Sequence, residues 1–199
     1  MILGLVGKAR AGKSDTADAI SKRAKELGLV PTVYDIGDLV RKYCIKRKLI
    51  ADKSRQYLTK DELDVLVSVG AEQREKDPDF WLYDLGDELP ESTNHVIIVP
   101  NVRYQNEADF VKGHGGYTIK IAALNPNGSE FISPDRNPNH PSETELQHLN
   151  ASFFITTRRG ESGLLKSYAK TLFDHVYSLQ SKPTSTEQTE FEFDMVAPV

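Results

Sequence analysis

The sequence predicts a three-layer α/β fold with a sheet of about five parallel strands. Short apolar runs alternate along the chain with segments whose apolar residues recur at helical spacing. The run from His95 to Pro100 is continuous and rich in β-branched residues, which is typical of a strand covered on both faces. The chain also opens as a strand, a glycine-containing loop and a helix, the unit from which such folds are built.

The strands alternate with helices over the first 179 residues. Strands are predicted at 2–6, 31–34, 95–100, 117–124 and 151–156. Helices are predicted after Gly12, after residue 35, from residue 59, from residue 77, at 106–112 and at 161–179. Thr59 with Glu62 three residues later forms a capping box, which marks a helix start. Another start is predicted at Asp77 as N-cap, with Pro78 at the first helical position.

We predict one domain over 1–179, interrupted by an insertion at 125–150 and followed by an acidic tail at 180–199. The insertion contains several Asn-Pro and Ser-Pro steps, and we expect it to be a mobile lid. The tail lacks helical spacing, so we expect disorder. Alternating Phe191, Phe193 and Met195 leave an added edge strand as the alternative.

Composition excludes several classes of protein. A formal charge of −4 argues against a protein that coats nucleic acid. The apolar runs are too short for a membrane span, so we expect a cytoplasmic protein. We expect its partners to be small-molecule substrates. Cys44, the single cysteine, cannot form an internal disulfide and has no neighbours at metal-ligand spacing. Composition leaves the oligomeric state, monomer or homodimer, open.

Residues 7–14 match the phosphate-binding pattern G-x-x-x-x-G-K-[ST] between an apolar strand and a helix. The glycines let successive N–H groups point at phosphate oxygens, and the helix offers its positive N-terminus to the same anions. Lys13 would bridge the β- and γ-phosphates of ATP, and the Ser14 hydroxyl would ligate Mg²⁺. Lys13 is expected to be exposed and to add little stability. The predicted cofactor-binding residues are Gly7, Lys8, Ala9, Arg10, Ala11, Gly12, Lys13, Ser14 and Asp15.

Three further blocks carry a resemblance to a known family. They are residues 70–74 with 77–81, residues 99–108, and His140-Pro141-Ser142-Glu143. With the opening block of residues 12–20, they make the chain similar to the bacteriophage deoxynucleoside monophosphate kinases from Met1 to about Leu179. The resemblance implies transfer of the ATP γ-phosphate to a deoxynucleotide in the cytoplasm of an infected host. Block 103–108 is the most diagnostic, whereas the loop marks only a superfamily.

Several charged residues are candidates for that site, because ligands of open α/β sheets bind beyond the carboxyl ends of the strands. Phosphoryl transfer also requires cations besides Lys13. The predicted catalytic residues are Lys13, Arg103, Asp35 and Arg136. The predicted substrate-binding residues are Asp35, Arg41, Arg74, Arg103, Glu107 and Glu143.

Each candidate has a structural alternative. Arg103 could pair with Glu107, and Asp35 could be a simple helix N-cap. Arg41 and Arg74 could be solvated helix residues, and the glutamates could stabilise helix starts. Arg158 and Arg159 could contact the adenine or a phosphate, or form a solvated pair.

Asn101 departs from the family pattern, which places an aspartate after this apolar strand to hold Mg²⁺ through water. An amide contributes no charge, so either Asp35 or Asp15 compensates or activity is weak. Three hypotheses follow: a deoxynucleoside monophosphate kinase, a kinase of another small acceptor, and a degenerate nucleotide-binding regulator. The acceptor base cannot be read from the sequence.

Overall fold

The computed structural model describes residues 1–87, 89, 94–134, 139, 141–180 and 194–195. By its contacts the chain divides into two compact units, Met1–Val33 with Ser92–Val199, and Tyr34–Glu91. In chain order the elements are β1 (Ile2–Val6), α1 (Lys13–Glu26), β2 (Val30–Val33), α2 (Ile36–Lys46), a 3₁₀ turn (Arg55–Tyr57), α3 (Lys60–Lys76), α4 (Phe80–Asp87), β3 (His95–Val102), α5 (Gln105–Gly113), β4 (Tyr117–Leu124), α6 (Pro141–Thr144), β5 (Phe153–Arg158), α7 (Ser162–Gln180) and β6 (Asp194–Met195).

The first unit is built on a parallel sheet. Within the described residues its strand order is β2-β3-β1-β4-β5-β6, and each neighbouring pair is parallel. β1 therefore lies in the interior of the sheet between β3 and β4, and the phosphate loop leaves its carboxyl end. The predicted α/β fold with about five parallel strands is confirmed, with the two-residue β6 added at the edge beside β5.

Helices cover both faces of the sheet. Leu3 and Leu5 of β1 are fully buried in a cluster that contains side chains of α1 and α7. Gly4 points to the opposite face, where a Cβ would lie 3.1 Å from Val111 of α5. Because β1 buries side chains on both faces, its sequence is continuously apolar rather than alternating.

The second unit is a small helical unit formed by α2, α3 and α4. Trp81 is only 2% exposed, and its indole N–H donates to the carbonyl oxygen of Gly70 at 3.3 Å. Tyr43, Phe80 and Trp81 pack edge to face, with ring centroids 4.8–5.7 Å apart. The predicted capping box is present, since Thr59 and Glu62 each accept from the other's backbone N–H.

Several boundaries differ from the predicted ones, among them the strand predicted at 151–156, which spans Phe153–Arg158 in the structure. The helix predicted from Pro78 begins at Phe80, because the Asp77 carboxylate accepts from the Asp79 N–H and holds Pro78 and Asp79 in a turn. The strand predicted to end at Pro100 continues to Val102. The proline is tolerated there because the pairing of β1 with β3 is irregular between Gly4 and Val6, beside Pro100, and Val102 still pairs with Val6.

Most described parts of the 125–150 insertion are attached to the sheet. Residues 125–129 form a hydrogen-bonded turn, and Phe131 is buried. Lys120 of β4 donates to the Gln147 carbonyl at 2.6 Å, and Lys112 of α5 donates to the Asn150 carbonyl at 2.8 Å. Residues 135–138 and 140 lie outside the described residues. Opening of the insertion as a lid therefore stays a prediction, and any such opening would have to break these contacts.

Among the described helices, none is both long and apolar enough to cross a lipid bilayer.

Candidate active site

The loop that joins β1 to α1 has the backbone shape of a phosphate cradle. A Cβ on Gly7 would lie 2.3 Å from the carbonyl oxygen of Ile121 in β4, so only glycine allows this approach. Gly12, the N-cap of α1, has φ 99°, which lies in the left-handed region that other residues rarely adopt. The two glycines of the motif are thus required by the position of the loop against β4 and by its turn into α1.

Lys13 is buried, contrary to the expectation of an exposed loop lysine. Its residue exposure is 6%, and its ammonium group donates to the carbonyl oxygens of Gly7 at 2.7 Å and Lys8 at 2.8 Å. The correction has a simple reason: Lys13 is the first residue of α1, and its side chain folds back across the loop. The positive charge is thereby held at the loop where an anionic ligand would bind.

Ser14 and Asp15 follow Lys13 in the first turn of α1. Ser14 is exposed, so its hydroxyl is accessible to a metal ion at the loop. The Asp15 carboxylate instead contacts α7, at 3.1 Å from the Lys166 ammonium and 3.3 Å from the Ser162 hydroxyl. The structure therefore brings Ser14 to the loop and directs Asp15 toward α7.

Arg103 and Glu143 meet at the loop although they are 40 residues apart. The Arg103 guanidinium lies 2.7 Å from Glu143 Oε1, and the backbone N–H of Ala9 donates to Glu143 Oε2 at 3.0 Å. Both side chains are largely shielded, with exposures of 21% for Arg103 and 6% for Glu143. Two predicted site residues from distant blocks are thus joined to the phosphate loop by one carboxylate.

Glu107 fixes the backbone that carries Arg103. One of its carboxylate oxygens accepts from the N–H groups of Arg103 at 2.8 Å and Tyr104 at 3.3 Å. The side chain is buried, with a residue exposure of 3%. These contacts fit the alternative in which Glu107 stabilises the start of α5, and they position Arg103 directly after β3.

A cavity of about 240 Å³ opens beside the loop, at the carboxyl ends of β1 and β3. Its charged lining residues are Lys8, Arg103, Lys120, Glu130 and Glu143. Lys8 forms an ion pair with Glu130 at 2.6 Å. Sequence reasoning missed Glu130 and Lys120 as lining residues. The alternation of β4 indicates which face Lys120 occupies, but no local pattern marks Glu130.

Other candidates belong to the second unit. Asp35 is the N-cap of α2, where its carboxylate accepts from the Gly37 N–H at 2.8 Å. Arg41 donates to the Lys53 carbonyl at 3.2 Å, and Arg74 donates to the Gly70 carbonyl at 3.2 Å. Asp35 thus makes the N-cap contact given as its alternative, whereas the two arginines are partly buried against backbone carbonyls and are not simply solvated. A substrate role for the three residues stays a prediction.

The remaining predicted residues have different positions. Arg136 lies outside the described residues. The guanidinium of Arg159 stacks on the Phe131 ring at 4.2 Å, so Arg159 is not simply solvated. Asn101 lies within β3 and is partly buried.

The donor set of the site suits a magnesium ion bound mainly by substrate. Among the described residues, no group of three or more His, Cys, Asp or Glu side chains is placed to hold a metal. Mg²⁺ commonly uses one or two protein ligands together with substrate phosphates and water. The Ser14 hydroxyl can serve as such a ligand, with the loop holding the phosphates.

A viral protein is similar in sequence to this chain. The chain is 28% identical over 176 residues to a protein of Acanthamoeba polyphaga mimivirus provisionally named a deoxynucleotide monophosphate kinase. The match covers 76% of this chain and 84% of that protein. No protein-family model matches the sequence.

Three solved kinases resemble the chain in structure. They are an APS kinase from Mycobacterium tuberculosis (15% identity, TM-score 0.42, 88% of this chain and 96% of that one), a shikimate kinase from Aquifex aeolicus (16%, 0.44, 92% and 100%) and a gluconokinase from Sinorhizobium meliloti (15%, 0.41, 90% and 97%). The case for a phosphate-binding loop at residues 7–14 rests on the sequence pattern, on the position of the loop after β1 and on its two glycines.

Proposed function

We propose that this chain is an ATP-dependent deoxynucleoside monophosphate kinase. The observation that carries the kinase part is the loop itself, with the buried Lys13 folded across it and Arg103 bridged to it through Glu143. The acceptor class is supported by the family resemblance of residues 99–108 and by the mimivirus relative. The cytoplasm of an infected host remains the proposed setting.

The reaction requires little covalent chemistry from the protein. A phosphate oxygen of the acceptor forms a bond to the γ-phosphorus as the bond to the β-γ bridging oxygen breaks, and the products are ADP and a deoxynucleoside diphosphate. Lys13 and the loop N–H groups would hold the transferring phosphates and neutralise the charge that shifts toward ADP. The Ser14 hydroxyl would hold a magnesium ion, which would supply further positive charge at the phosphates.

Arg103 is proposed as the second cation for the transferring group. Its backbone is fixed by Glu107, and its guanidinium lies in the cavity beside the loop, where it contacts Glu143. Asp35, Arg41 and Arg74 are retained as proposed acceptor-binding residues on the strength of the resemblance, as is Arg136 as a catalytic residue.

A substrate panel tests the proposal. Purified protein is incubated with ATP and Mg²⁺ and, in separate reactions, with dAMP, dGMP, dCMP, dTMP and a set of hydroxylated metabolites. We expect ADP and a deoxynucleoside diphosphate from at least one deoxynucleotide. Turnover of a hydroxylated metabolite alone would replace the acceptor class, and ATP binding without turnover of any acceptor would favour the regulator that Asn101 suggests.

Arg103→Ala adds a test of the site. We expect kcat to fall by about 100-fold, because one positioned charge at a transition state contributes on this order. Arg23→Ala is the matched control, since Arg23 also forms ion pairs, with Asp174 and Glu26, but lies at the far end of α1. Equal activity of the two variants would remove Arg103 from the site.

A further inference from the structure

The carboxylate of Glu143 contacts both the phosphate loop and Arg103, each through a different oxygen. One oxygen accepts from a backbone N–H of the phosphate loop, that of Ala9, and the other accepts from the Arg103 guanidinium. The side chain is 6% exposed, so this carboxylate is held in place and is not a mobile surface group. The Glu143 carboxylate is thus an anion that is bound by a backbone N–H of the phosphate loop and by the Arg103 guanidinium.

These donors are the ones that a phosphate group would use. Loop N–H groups and guanidinium groups recognise phosphate oxygens by charge-assisted hydrogen bonds, and a carboxylate offers the same pair of anionic acceptors. A second ion pair repeats the arrangement, since Glu130 binds Lys8 of the loop at 2.6 Å. The insertion thus supplies two carboxylates to the basic groups around the loop.

We propose that Glu143 is an internal anion that competes with a nucleotide phosphate for the Ala9 N–H and the Arg103 guanidinium. The inference rests on the proposed function only in requiring that the loop binds a nucleotide. Binding of ATP then displaces Glu143, because a carboxylate and a phosphate cannot share these donors at close range without strong like-charge repulsion. Displacement releases Arg103 to the phosphates and breaks one attachment of residues 141–150 to the loop.

The alternative is that Glu143 stays in place and serves to position Arg103 beside bound ATP. The two possibilities predict opposite effects of removing the charge. If Glu143 competes, a neutral side chain tightens ATP binding. If Glu143 positions Arg103, the same change loosens ATP binding.

Glu143→Gln separates them, because glutamine keeps the size of the side chain and loses the charge. We expect the Kd for ATP, measured by calorimetry with Mg²⁺, to fall about three- to tenfold, as close charge pairs in binding sites can contribute this much. Glu145→Gln is the matched control. Glu145 lies on the same segment and also accepts from a backbone N–H, that of Gln105 at 2.8 Å, but it does not line the cavity beside the loop. Its substitution should leave the Kd for ATP unchanged.

Arg103 provides an independent check. In an Arg103→Ala background, Glu143→Gln should improve the Kd for ATP less than in the wild-type background, because the released donor is missing. Glu143→Ala is measured as well, and melting temperatures establish that each variant is folded.

The outcomes distinguish this inference from the proposed function. An unchanged or higher Kd for ATP in both folded Glu143 variants would overturn the inference while leaving the kinase proposal intact. If Glu143→Gln binds ATP and the wild type does not, the result would support the inference that Glu143 competes with a nucleotide phosphate. Absence of ATP binding in every folded variant and in the wild type would overturn both.

Discussion

Lys13→Ala is the perturbation whose consequences follow most directly from the structure. The substitution removes two charge-assisted hydrogen bonds, from the ammonium group to the carbonyl oxygens of Gly7 and Lys8. It also removes an aliphatic stem that is part of a residue only 6% exposed. The variant should therefore lose both stability and activity.

The two losses differ greatly in size. Water can enter the loop and hydrate the two carbonyl groups, so we expect the free energy of unfolding to fall by about 1 to 3 kcal/mol. For a chain of this length that corresponds to a melting temperature lower by about 2 to 12 °C. The turnover number should fall by about 100- to 1,000-fold, because the lysine charge acts on the transferring phosphates.

The assay combines thermal unfolding with initial rates of ADP formation on the acceptor found in the panel. Lys22→Ala is the control, since Lys22 is an exposed lysine of the same helix and should change neither quantity appreciably. A folded Lys13→Ala protein with wild-type turnover would refute the assignment of the active site. A melting temperature equal to that of the wild type would refute the structural role of the buried ammonium group.

Two more predictions concern metal dependence and pH. Asn101→Asp should lower the Mg²⁺ concentration needed for half-maximal rate, because it adds a carboxylate where the family pattern has one. A lower melting temperature with no decrease in that Mg²⁺ concentration would mean that Asn101 is not near the metal. The Lys53 ammonium, together with the Thr59 and Ala51 N–H groups, lowers the pKa of Glu62 from its ordinary 4.5 to about 2. A lowered folded-state pKa stabilises the protein above pH 4.5, and the contribution is lost as the pH falls toward 2. The melting temperature of the wild type should therefore exceed that of Glu62→Gln at pH 7, and most of the difference should be lost by about pH 2. A difference at pH 2 as large as that at pH 7 would contradict the lowered pKa of Glu62.

The sheet and its helices could be predicted because their signals are local. The strand at 117–124 and the phosphate loop are marked by residue spacing within a few positions of the chain, and the structure has them there. The turn at Asp77 to Phe80 is ambiguous in the sequence, since Asp-Pro fits both a helix N-cap and a turn, and this aspartate is also the C-cap of α3.

The inner contacts of the site could not be predicted in the same way. The bond between Ala9 and Glu143 joins residues 134 positions apart, and no spacing in the sequence encodes that distance. The ion pair between Lys8 and Glu130 likewise depends on how the insertion returns to the sheet. The burial of Lys13 depends on the direction of its side chain, which the pattern G-x-x-x-x-G-K-[ST] does not determine.

The interior position of β1 has a consequence for amide hydrogen exchange. Residues 2–6 pair with strands on both sides, so their amides should exchange only through the largest openings of the first unit. The loop amides begin immediately afterwards, and local fluctuations can expose them. One short peptide from the N-terminus therefore contains slow amides and ligand-sensitive amides together, and the slow ones provide an internal reference for measuring how fully the loop is occupied.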